Sequence, residues 1–175
     1  FHWLVMQTGR TVSAEGLFDT FRRDILGGPL ADDPVHLVKM LNDDAASLRQ
    51  FDDLPEREVA GRRFFATLDA LDTTTMVPVA LLLFRSSVEP ARRARALLAL
   101  ESYLVRRLVR GLSTKNYSQL AARLVSVARE DLTTADDQII QELLSSGADT
   151  FRWPTDDELL KHLESQSLYG WIGQR

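Results

Sequence analysis

The sequence predicts an all-α fold of about seven or eight helices, and three observations carry that expectation. Apolar residues recur at helical spacing along most of the chain, with almost no strict alternation of the kind strands show. Pro34, Pro78 and Pro90 stand where helices open, and Gly27, Gly111 and Gly147 where they close. No unit of about 20 to 50 residues repeats, which sets aside a solenoid. With 175 residues, 45% of them apolar and 26% charged, the chain has the composition of a globular domain with a proper core, and 1–175 reads as a single helical domain.

The first ten residues hold Trp3, Leu4, Val5 and Met6, a run too short to assign. Ser13 is a plausible N-cap for a helix over about 14–26, with Leu17, Phe18, Phe21 and Ile25 on one face. Asp33 caps and Pro34 opens a second helix, running to about 52 on Val38, Leu41, Ala45 and Leu48. After the turn at Asp52-Asp53-Leu54-Pro55, a helix over about 56–72 turns Phe64, Phe65, Leu68 and Leu71 inward. The stretch from Met76 to Phe84 is apolar on every side, as a buried strand or a buried helix would be. Pro78 favours the helix, a core element over about 76–86 against which the next helix should pack.

That next helix is the longest, about 90–110, opened by Pro90 and closed by Gly111. Ala94, Leu97, Leu98, Leu100, Leu104, Val105 and Leu108 share one arc, and Glu101 projects from its middle. A buried carboxylate needs a cation or hydrogen-bond donors, so Glu101 is expected to anchor an ion pair, and Glu101→Ala to cost about 3–5 kcal/mol by stranding the partner. Beyond it, Tyr117 starts a helix through Leu120, Leu124 and Val127. Thr134 with Asp137 and Thr155 with Glu158 have the spacing of capping boxes for two more. The aromatic tail is read as a short strand or an edge.

Charge is unevenly distributed. From Arg85 to Lys115 there are eight basic residues against Glu89 and Glu101, a local +6, whereas the whole chain carries −4, leaving −10 elsewhere. A basic ridge can neutralise DNA phosphates. It can equally pair with acids inside the domain, which is the reading preferred for Arg92, Arg93 and Arg95. Arg106, Arg107, Arg110 and Lys115 stand as the DNA-backbone candidates, although cations at a helix C-terminus also suit its dipole. Tyr103, Tyr117, Trp153, Tyr169 and Trp171 could stack on bases but fit core or interface positions better.

No catalytic constellation is visible. There is no cysteine, and His2, His36 and His162 lie on different elements without metal-ligand spacing. The acidic pairs at 32–33, 43–44, 52–53, 136–137 and 156–157 could suggest a metal site, but three fall at expected helix starts, where capping explains them. Gly27-Gly28-Pro29 lacks the strand and lysine of a phosphate loop. The longest apolar run is far short of the roughly twenty residues that span a bilayer, and no signal peptide is visible, so a cytoplasmic protein is expected.

Three stretches together resemble the helical region of the GmrSD-type, modification-dependent restriction endonucleases: Glu101-Ser-Tyr-Leu-Val-Arg-Arg107, Gly111-Leu-Ser-Thr-Lys-Asn-Tyr117, and Trp153-Pro-Thr-Asp-Asp-Glu158 followed by Leu168-Tyr-Gly170. In that family a nucleotide-dependent ParB-like domain precedes such helices and an HNH-type nuclease domain follows or merges with them. The resemblance implies a fragment of a longer protein, in keeping with a chain running from Phe1 to Arg175. It implies flanking nuclease and nucleotide-binding domains as partners, and nucleotide and divalent metal bound only in those other parts. Neither the His-Ile-Met/Leu-Pro nuclease motif nor the Asp-Gly-Gln-Gln-Arg nucleotide motif occurs here. The expected role is therefore non-catalytic coupling in phage defence, with DNA-backbone contacts as a further expectation. A self-contained protein-interaction or regulatory module without DNA binding is the alternative. An independent enzyme with an acidic site is a third reading.

Overall fold

The computed structural model describes residues 1–85, 87–145 and 151–165. Within them the chain forms nine α-helices and no strand: α1 (His2–Thr8), α2 (Leu17–Thr20), α3 (Pro34–Gln50), α4 (Val59–Ala70), α5 (Val77–Leu83), α6 (Pro90–Val109), α7 (Tyr117–Ala128), α8 (Ala135–Ser145) and α9 (Asp156–Ser165). No helix among the described residues is long and apolar enough to cross a membrane. The aromatic tail and Gly147 lie outside the described residues.

The apolar run after Met76 is the core helix its composition demands. Val79 to Leu83 are all at most 2% exposed, and Pro78 occupies the first turn, where its missing N–H leaves no bond unmade. Its neighbours differ from the expectation. α5 is packed chiefly between α1 and α7, while α6 lies on α4 and α8. The reason is α1: Trp3, Leu4, Val5 and Met6 are all buried, so this short helix, apolar on every side, supplies the second apolar face that α5 requires.

Most of the remaining elements follow their punctuation. Asp33 Oδ1 accepts from the His36 amide, and Pro34 opens α3. Thr155 and Glu158 form a reciprocal capping box, each side chain accepting from the other's amide. Thr134 and Asp137 do not form one. Asp131 instead accepts from the Thr133 amide and caps a short turn ahead of α8, because Asp137 is drawn to arginines on α6. Ser13 accepts from the Gly16 amide, but the helix expected over 14–26 is a single α-turn continued by a π-turn at Phe21–Ile25. Phe18 is left 69% exposed.

α3 is rotated from its expected phase. Leu37 and Asp44 are buried, and Val38 is 57% exposed. Asp44 sets that rotation: its Oδ2 accepts from Trp3 Nε1 at 2.8 Å and from an Arg85 guanidinium nitrogen at 2.9 Å, tying α1, α3 and the turn after α5 together. A buried carboxylate held by an indole and a guanidinium has its charge balanced and two of its acceptor sites filled.

Candidate functional site

α6 is also rotated relative to the arc expected for it. Its buried line is Arg93, Ala96, Leu97, Leu100, Tyr103, Leu104 and Arg107, whereas Leu98 and Val105 are 41% and 40% exposed. Glu101 therefore sits at the margin of the packed face rather than its centre. It does find a cation, Arg63 of α4, at 2.9 Å, but Arg63 is largely exposed. Removing Glu101 leaves a guanidinium that water can reach, so the cost of 3–5 kcal/mol expected from a fully buried pair does not apply.

The arginines of the first half of α6 are spent on acids inside the domain. Arg92 and Arg95 both hydrogen-bond Asp136 at 2.6 Å, and both also reach Asp137. Burial pushes the Asp136 carboxyl up, but the two arginine hydrogen bonds outweigh it and hold it below the ordinary carboxylate range. Arg93 binds Glu58 at 2.6 Å and stacks over the Phe84 ring.

The second half of α6 builds a joint with the segment leading into α9. Tyr103 donates its hydroxyl to the Phe151 carbonyl at 3.1 Å, and its ring meets Trp153 edge-on at 5.9 Å. Burial raises the Tyr103 phenol well above its usual range, so it remains a neutral donor. Arg106 donates to Ser102 Oγ and to the Pro154 carbonyl, and pairs with Asp156. Arg107, only 1% exposed, donates to the Arg152 carbonyl at 3.0 Å and the Ser113 carbonyl at 2.8 Å, between the faces of Tyr103 and Tyr117. Arg110 bonds His162 Nδ1 at 2.9 Å.

Of the four DNA-backbone candidates, Arg107 is thus inside the protein and Arg106 and Arg110 are engaged by α9 and its leader. Lys115 alone is freely exposed. The ridge expected at this end of the helix is mostly a packing device, because guanidinium groups satisfy backbone carbonyls of an irregular segment that no helix or sheet ladder can satisfy. Sequence reasoning missed this use of Arg107, because it lies outside the arc expected to be buried and one of its two acceptors is in a segment 45 residues along the chain.

A cleft of about 710 Å³ opens beside the joint, where α4 and α6 end. It is lined by Leu104, Leu108, Leu112 and the buried Tyr117, with the exposed Asp72 and Thr114 at its edge. The two helix ends facing it are closed alike. At Gly111, with φ of 63°, the Leu112 amide returns to the Arg107 carbonyl and the Gly111 amide to that of Leu108. At the end of α4, Thr73 returns to Leu68 and Asp72 to Asp69 in the same pattern, with Asp72 at φ of 48°.

Among the described residues no group of three or more His, Asp or Glu side chains is placed to hold a metal ion. Comparison with known proteins finds no matching family model, no similar curated protein and no similar solved structure.

Proposed function

We propose that this chain is a non-catalytic helical coupling domain of a GmrSD-like restriction endonuclease acting on phage DNA in the cytoplasm. In this role it would transmit a change of state between a nucleotide-dependent domain and a nuclease. One observation carries the reading. The three stretches that resemble that family, 101–107, 111–117 and 153–158, are apart in sequence, yet they meet in one joint: Tyr103 packs on Trp153, Arg106 bonds the Pro154 carbonyl and Arg107 bonds the Ser113 carbonyl. Shared motifs that converge on one packing junction are what a family-specific structural hinge would require. α9 is suited to transmitting motion: it buries no residue completely and is tethered through Asp156, Glu158 and His162.

The purified chain is expected to leave phage DNA uncut in the presence of magnesium and nucleotide. In the longer protein, Arg106→Ala should weaken phage restriction while leaving nucleotide hydrolysis in place. Cleavage by the chain alone, or full restriction by the variant, overturns the reading.

The alternative, a protein-interaction module without a DNA role, is favoured by the internal use of the arginines. Duplex DNA binding at low salt discriminates the two. The coupling domain with backbone contacts predicts binding that weakens with salt and on Lys115→Ala, and the interaction module predicts none.

A further inference from the structure

The cleft at the ends of α4 and α6 continues into a second depression of about 410 Å³ between the same helices, and the two share Ala70, Leu71 and Leu108. Together they make one groove that follows α6 from Glu101 to Leu108, about 10 Å at the helical rise of about 1.5 Å per residue, and ends at the turn of Gly111 and Leu112. That length matches about two turns of a docked helix. Ala66 and Ala70 on α4 and Val105 and Leu108 on α6 give it an apolar stretch of small and medium side chains that another helix can approach closely, with Arg63 and Glu101 at one end.

The electrostatics of the closed end are unusual. A helix C-terminus carries partial negative charge and favours a cation in its last turn. α4 has no basic residue in its last turn, and Asp69 and Asp72 stand at that end. Asp72 also takes the left-handed conformation that glycine would adopt with less strain, as Gly111 does across the cleft. An anion is thus kept, against both local preferences, on the rim of a cleft where a second helix C-terminus converges. Farther along the groove, Glu101 Oε2 is buried without a hydrogen-bond donor among the described residues, although its partner oxygen is bound by Arg63. The Asp72 end therefore offers negative potential, the Glu101 end offers an acceptor oxygen whose charge Arg63 balances, and the stretch between them offers apolar contact.

The geometry points to a docking groove for an amphipathic helix of another protein or domain, its apolar face on Ala66, Ala70, Val105 and Leu108 and a Lys or Arg side chain entering the cleft at Asp72. The inference stands apart from the coupling role, since it uses neither the joint nor DNA.

The test uses the full chain and synthetic helical peptides of about fifteen residues, with a leucine and alanine stripe and one arginine in either the first or the last turn. Matched peptides carry glutamine in its place. Binding is followed by fluorescence anisotropy. One of the arginine peptides should bind about tenfold more tightly than its glutamine match. Asp72→Asn, which keeps a residue that tolerates the left-handed conformation, should abolish that preference with an unchanged circular dichroism spectrum. Val105→Asp, on an exposed position, should abolish binding of all the peptides. Equal binding of the matched peptides, a preference that survives Asp72→Asn, or no binding at millimolar peptide overturns the proposal. Self-association of the chain that Val105→Asp removes would assign the groove to a second copy and overturn it as well.

Discussion

Arg107 and Glu101 show how far a charged residue's role depends on its neighbours. Both lie on the same long helix within two turns, yet one is sealed and the other marginal. Arg107→Ala removes two hydrogen bonds from a charged donor and leaves the Ser113 and Arg152 carbonyls without it, so a loss of about 3 kcal/mol is expected in a denaturant titration. Arg107→Lys should recover little of this, because a single ammonium cannot span both carbonyls while lying between two rings. Glu101→Ala should cost under about 1 kcal/mol by the same measurement. Asp72→Gly is expected to stabilise the fold by about 1 kcal/mol, since it relieves the left-handed strain and removes an anion from a helix C-terminus. The carboxylate in the middle of the α6 sequence was legible and so was its need for a cation. That the cation is an exposed arginine on α4 was not, because the helix turns a neighbouring face to the core.

At the scale of elements, helix ends are where local chemistry decides most. Pro34, Pro90, Asp33, Gly111 and the Thr155–Glu158 box all act where their types predict, since capping involves only groups a few residues apart. The exceptions are ends at which a tertiary partner outbids the cap, as Arg92 and Arg95 do for Asp137. α9 provides a test with pH. The Thr155 amide, and after it the Arg152 guanidinium, lower the Glu158 pKa. A carboxyl shifted this way supports the folded arrangement above its unfolded pKa of about 4.3, and that support is lost as the pH falls through its folded value. α9 should therefore begin to leave the joint in acid. A change in tryptophan fluorescence below about pH 4 that is absent in Trp153→Phe would report it.

At the scale of the whole molecule, the uneven charge of the chain is largely an internal arrangement. The positive stretch from Arg85 to Lys115 meets its acids on α3, at the N-cap of α4, on α8 and at the start of α9, at Asp44, Glu58, Asp136, Asp137 and Asp156. The most buried of these is Asp136, whose pKa is lowered. Its contribution is complete above an unfolded value of about 3.9 and declines as the pH falls through the lower folded one. Asp136→Asn should thus lower stability at neutral pH and flatten its dependence on pH in the acid range, as read from thermal unfolding at several pH values.

Composition and periodicity by themselves determined that this chain is helical, where most of its helices begin and end, and that residues 76–84 lie in the core. Those properties follow from interactions within a few residues of chain, which any copy of the sequence carries. Tertiary structure alone decided which face of α3 and α6 is buried, that α5 rests on α1 and α7, and that Arg106, Arg107 and Arg110 hold a distant segment rather than a free surface. A helix with charges around most of its circumference has several faces of similar apolarity, and only the partners available in three dimensions select among them.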